Sequence, residues 1–139
     1  MSAEQNKAVV RRFYEGFEAN DEAAMRAILA PNMVAYTMAV HGTQDLEGML
    51  QGVKMWNATF SNTRFEIVEQ VAEDDTVVTR LVFHSTHDKA DFQGVAPTGK
   101  RCESPGVTIE RIQDGKIVER YVYGDRSSMF EQLGIVPSP

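Results

Sequence analysis

A change of hydrophobic period near Thr63 constrains this chain more than any other feature of its sequence. Before it, apolar residues recur at helical spacing; after it they alternate, as they do along a strand with one buried face. The first helical segment opens with Ser2 and Gln5 at capping-box spacing. It sets Val10, Phe13, Tyr14 and Phe17 on one stripe, with Lys7, Arg11, Glu15 and Glu18 on the other side. A second helix is predicted from Asn20 or Asp21, with Met25, Ile28 and Leu29 inward, stopping before Pro31 because proline cannot continue it. "MVAYTMAV" (33–40) reads as a strand. Leu46, Met49, Leu50, Val53 and Trp56 then mark a third helix after Thr43, weakened by Gly48 and Gly52.

Past Thr63 the alternation predicts strands near Arg64 to Val71, Thr76 to His87, Cys102 to Ile112 and Ile117 to Tyr123. Asp74-Asp75 and Asp114-Gly115 are hairpin turn signals, so neighbouring strands are expected to be antiparallel with the helices gathered on one face, an α+β arrangement. No segment repeats and no linker-like tract divides the chain, which makes residues 1–139 one domain.

With 139 residues, 42% of them apolar and 24% charged, the chain has the composition of an ordinary folded domain. Its net charge of −6 repels phosphate backbones and anionic lipid, which argues against nucleic acid or a membrane as partner. The single cysteine, Cys102, cannot form an internal disulfide, and no signal-like or membrane-spanning apolar run is present, so a cytoplasmic location is expected. Without a secretory signal, the Asn57-Ala58-Thr59 acceptor triplet carries no meaning.

Several motifs look chemical and yield to simpler readings. "GVAPTGKR" matches part of a phosphate-binding loop, but Arg101 stands where Ser or Thr should hold magnesium, and the following segment reads as strand. His84 and His87 are three apart on a strand and point to opposite faces, so no metal is expected. Cys102 has no recognisable His and acid partner, and His41 sits alone in a Gly-containing loop. Met49, Met55, Trp56 and Phe60 are either core or the wall of an apolar pocket. Tyr121, Tyr123 and Asp125 are spaced by two, so a strand reaching Asp125 would set a carboxylate beside aromatic rings, where desolvation raises its pKa toward general acid/base use. Directly before Arg126-Ser127-Ser128-Met129, Asp125 also stands where a helix N-cap belongs, and spacing alone favours the cap.

"DFQGVAPTGKR", "IERIQDGKIVERYVYGD" and "MFEQLGIVP", preceded by helices, resemble the SnoaL-like polyketide cyclase family of the NTF2-like, ketosteroid-isomerase-like superfamily. The resemblance implies a cone-shaped α+β barrel, with a curved antiparallel sheet and N-terminal helices around an apolar pocket, and a homodimer. Cyclases of this family close a ring by intramolecular aldol condensation on an aromatic polyketide ester, without metal or organic cofactor, using an aspartate as acid/base. Asp125 occupies the matching place, Tyr121 stands where relatives carry tryptophan, and Arg111 falls where the family has a catalytic histidine. From strand parity, His84 is expected to reach the pocket and Arg80 to stabilise an enolate. The lining is expected from Tyr14, Phe17, Tyr36, Trp56, Phe60, Phe83 and Tyr121 around a small hydrophobic, polyketide-like ligand. A non-catalytic binding module for a hydrophobic metabolite, or a hydroxylase or hydrolase of the same fold, are the alternatives. Val68, Val78, Val107 and Ile109 are too apolar for a solvated sheet face and mark the expected dimer surface.

Overall fold

In the computed structural model, which describes residues 1–37 and 42–135, the elements run α1 (Ala3–Ala19), α2 (Glu22–Ile28), β1 (Leu29–Tyr36), α3 (Leu46–Thr59), β2 (Phe60–Glu73), β3 (Thr76–His87), β4 (Arg101–Gln113), β5 (Lys116–Gly124) and α4 (Arg126–Leu133). Residues 38–40 of the predicted first strand, and His41, lie outside the described residues. Helix starts follow local chemistry. Ser2 and Gln5 close the capping box of α1, while Asp21, Asp45 and Asp125 each accept an amide hydrogen bond at the start of α2, α3 and α4.

The strands form one curved, unclosed sheet in the order β1-β5-β4-β3-β2. β2 to β5 are antiparallel neighbours, as the turn dipeptides imply, but β1 pairs with β5 in parallel. No tight turn joins β1 to β5, so nothing local dictates their relative direction. β1 also begins earlier than the Pro31 signal suggests, at Leu29 directly after α2. Proline is tolerated there because β1 is an edge strand.

Alternation divides the sheet into two faces. Val77, Thr79, Leu81, Ser85 and His87 of β3, with Cys102, Ser104, Thr108, Glu110 and Ile112 of β4, are buried on the inner face beneath the helices. There Val10, Phe13, Met25, Met49, Leu50 and Val53 form the main core with Val77, Leu81, Ile112 and Ile117. Each such large apolar side chain contributes about 1.5–3 kcal/mol on burial. A smaller cluster of Phe60, Cys102, Phe130, Leu133 and Ile135 fastens α4 to the far end of the sheet.

Candidate functional site

Two Glu-Arg dipeptides, Glu110-Arg111 on β4 and Glu119-Arg120 on β5, flank the Asp114-Gly115 turn. Both turn residues have positive φ, 52° and 77°, the geometry whose twist suits a tight hairpin. From the turn outward, Gln113 pairs with Lys116 and Ile112 with Ile117; continued without interruption, this ladder would set Glu110 against Glu119. A bulge intervenes instead, with one extra residue on β5, and Glu110 pairs with Arg120 while Arg111 pairs with Glu119.

The first of these pairs is interior. Arg120 Nε donates to Glu110 Oε2 at 3.0 Å, with side-chain exposures of 8% and 0%. Thr108 donates its hydroxyl to Glu110 Oε1 at 3.0 Å, Tyr14 of α1 stands 2.6 Å from the Thr108 oxygen, and Arg120 Nη2 donates to the Tyr14 oxygen at 3.4 Å. Thr108 has one proton and gives it to Glu110, so the Tyr14 hydroxyl must donate to Thr108, and the four side chains close a circuit. The guanidinium also lies 4.5 Å from the centre of the Phe13 ring. Burial pushes the Glu110 carboxyl above the usual carboxylate range against the pull of Arg120 and Thr108. Burial, reinforced by the charge of Glu110, likewise raises Tyr14.

Most polar residues singled out in the sequence lie on the outer face, and their expected place in a pocket is corrected accordingly. Arg80 pairs with Glu69 at 2.8 Å, and Arg111 with Glu119 at 3.5 Å. His84 stands between Glu66 at 2.9 Å and Glu103 at 3.2 Å. Tyr36 and Tyr121 stack on each other, 4.7 Å apart and nearly parallel, with the Tyr121 hydroxyl donating to Glu119. The reason is parity: odd-numbered β3 residues from Val77 face the helices, which turns Arg80 and His84 outward, and past the bulge Arg120 faces inward while Glu119 and Tyr121 face out. His84 lines a groove of about 630 Å³ with Arg64, Lys100, Arg101, Glu103 and Gln132, polar rather than apolar.

The expected aromatic residues of the inner face are together, but packed on one another. Tyr14 touches Phe65, which touches Phe17 and Phe83, and Trp56 links Phe83 to Phe60, with ring centroids 3.9 to 5.4 Å apart. Tyr14 and Phe60 are sealed at 2% and 0% exposure, so they fill the interior rather than line an opening. Phe17, Trp56, Phe65 and Phe83 remain half-buried and present an aromatic inner wall. Trp56 Nε1 donates to Ser85 at 3.2 Å.

Asp125 is exposed, and its Oδ1 accepts the Ser128 amide at 2.9 Å. This is the geometry of Asp21 toward Ala24 and of Asp45 toward Gly48, at 3.1 and 2.8 Å. The expected desolvated carboxylate beside Tyr121 is therefore corrected: Tyr121 is on the outer face, and Asp125 follows the end of β5 as a cap. Its backbone is tied to the strand beside the aromatic wall. Ser104, opposite Phe83 in the β3–β4 ladder, donates to the Asp125 carbonyl at 3.5 Å.

Two buried groups complete the inner face. His87 is held through Nε2 by the Ala90 carbonyl at 2.7 Å, its Nδ1 buried without a partner. Burial pushes the Cys102 thiol up to about 11, which suits a plain strand residue. Among the described residues no group of three His, Cys, Asp or Glu side chains could hold a metal ion, and no helix is long and apolar enough to cross a membrane. Thr108, Glu110 and Arg120 escaped the sequence reading. Their available signal was the duplicated Glu-Arg dipeptide around a hairpin turn, with Glu110 in the parity of Ile112.

A curved, unclosed sheet covered on one face by helices, with an aromatic inner wall and an internal polar circuit, is a mixed α+β arrangement. The SnoaL-like polyketide cyclase model matches residues 7–133, and the chain belongs to that family. IdmH from Streptomyces antibioticus, a proposed polyketide cyclase, is 30% identical with a TM-score of 0.84, over 94% of this chain and 99% of that one. AclR from Streptomyces galilaeus, a proposed hydroxylase, is 25% identical with a TM-score of 0.85, over 98% and 100%. A Catenulispora acidiphila protein of ketosteroid-isomerase-like fold, solved with trimethylamine, shares the fold at 17% identity and a TM-score of 0.77, over 94% and 97%. No curated protein matches the chain.

Proposed function

We propose that this protein is a polyketide-cyclase-type enzyme that takes an apolar carbonyl compound against its aromatic inner wall and exchanges the proton next to the carbonyl through Asp125. The observation that carries this reading is adjacency. Phe17, Phe65, Phe83 and Trp56 form a half-buried wall, and Ser104, across from Phe83, bonds the backbone of Asp125. With Oδ1 engaged by Ser128, Oδ2 has no bond among the described residues. An apolar substrate covering this carboxylate removes water from it and strengthens it as a base. Asp125 takes the proton from the carbon next to the carbonyl, the resulting enolate carbon attacks a second carbonyl of the same molecule, and the carboxylic acid returns the proton to the new alkoxide. No redox cofactor is needed for that sequence.

The test is solvent-deuterium exchange at the α-carbon of an apolar ketone such as a tetralone, followed by NMR. Wild-type protein is expected to exceed buffer, and Asp125→Asn, which keeps much of the capping ability, to lose about 10²- to 10⁴-fold with stability nearly intact. Equal exchange by both proteins excludes Asp125 as the acid/base. The second reading, a binding module, is favoured by one observation: Asp125 has the geometry of two other capping aspartates. It predicts ketone binding with no exchange above buffer.

We also propose a homodimer through the outer sheet face, where Val68, Val71, Tyr36 and Tyr123 are 45%, 62%, 41% and 57% exposed. Light scattering at micromolar concentration should give twice the chain mass, and a Val71→Lys variant half of that. Monomeric wild-type protein would exclude it.

A further inference from the structure

Resting on the reading just given, we propose that the buried Tyr14, Thr108, Glu110 and Arg120 circuit is the oxygen-recognising end of the substrate site, with Arg120 Nη1 donating to the carbonyl oxygen on which negative charge develops. A guanidinium has five N–H donors. Here Nε is taken by Glu110 and Nη2 donates to Tyr14, while Nη1 makes no bond among the described residues. Among the described residues the sealed side-chain atoms without a partner are Asn6 Oδ1 and His87 Nδ1, and Nη1 is not one of them, while the Arg120 side chain keeps 8% exposure.

A purely architectural role accounts poorly for this arrangement. Two buried charges cost desolvation that apolar residues of the same volume avoid, and such replacements are often neutral or stabilising. What the charged pair adds is an oriented donor. Phe13 supports the guanidinium face at 4.5 Å, Glu110 fixes Nε, and Tyr14 fixes Nη2, so Nη1 is aimed before any ligand arrives. Glu110 already balances the charge of Arg120, which suits a neutral carbonyl that becomes an enolate better than a permanent anion. Tyr14 touches Phe65, and Phe65 touches Phe17 and Phe83, so a molecule lying on the aromatic wall has its oxygen end beside the circuit. In these roles Arg120 contacts substrate, and Tyr14, Thr108 and Glu110 are positioning residues.

The experiment uses a nitronaphthol, whose visible absorption separates phenol from phenolate, beside naphthalene as a probe of the apolar wall alone. Wild-type protein is expected to lower the dye's pKa on binding by at least one unit, about a tenfold gain in the bound phenolate-to-phenol ratio. The double variant Glu110→Gln/Arg120→Gln, which leaves no unpaired buried charge, should bind naphthalene within about threefold of wild type and lose the pKa change. Tyr14→Phe should keep naphthalene binding and lose part of it. A bound dye whose ionisation is unchanged from solution, or changed equally in the double variant, overturns the assignment while leaving the proposed function standing. Failure of wild type to bind either probe overturns both.

Discussion

Glu110–Arg120 and Arg111–Glu119 are consecutive cross-strand pairs on the same two strands, built from the same two residue types. One faces the core at 3.0 Å with almost no exposure, and the other faces outward at 3.5 Å with exposures of 48% and 37%. Identical chemistry therefore carries different consequences. Outside, water screens the charges and either partner can do without the other; inside, each is the other's replacement for water.

The comparison breaks most sharply if one inner partner is removed. Glu110→Ala is expected to cost about 3–5 kcal/mol in denaturant unfolding, because it strands a buried guanidinium. The double variant Glu110→Met/Arg120→Met should recover most of that loss. A single variant costing no more than an outer-face change would mean that water reaches the pair freely. Tyr14→Phe comes next, at about 1–3 kcal/mol, since Thr108 and Arg120 each lose a buried partner. Asp125→Ala should cost about 1 kcal/mol through the cap of α4, and Asp45→Ala a similar amount at α3. A markedly larger effect at Asp125 would reveal a structural role that its exposed position does not suggest. The smallest effect is expected for Arg111→Ala, about 0–1 kcal/mol and reduced further by salt, measured by the same unfolding curves.

Much of the fold was legible because it is written locally. Ser2 with Gln5 closes the predicted capping box, and Asp114-Gly115 forms the predicted hairpin turn, with positive φ at both residues. The change of period near Thr63 marks the passage from α3 to β2, although β2 starts three residues earlier, at Phe60. The candidate site was far less legible. Arg80, His84, Arg111 and Tyr121 were placed by counting in twos, and such counts establish which residues share a face without saying which face is covered. On β5 the count itself fails. One extra residue before Glu119 exchanges the faces of everything that follows, bringing Arg120 inward and sending Tyr121 out.

The sequence by itself determined the helix caps, the hairpin turns, the alternation of the strands and the α+β class, because each depends on residues within a turn or two of one another. The tertiary structure alone decided the parallel docking of β1 on β5, the covered face of the sheet and the bulge that joins Glu110 to Arg120. Those choices depend on which distant segments share hydrogen bonds and exclude water together. Asp125 shows both at once: its cap was visible in a five-residue window, while the bond from Ser104 to its backbone carbonyl depends on how β4 and the end of β5 meet in the folded sheet.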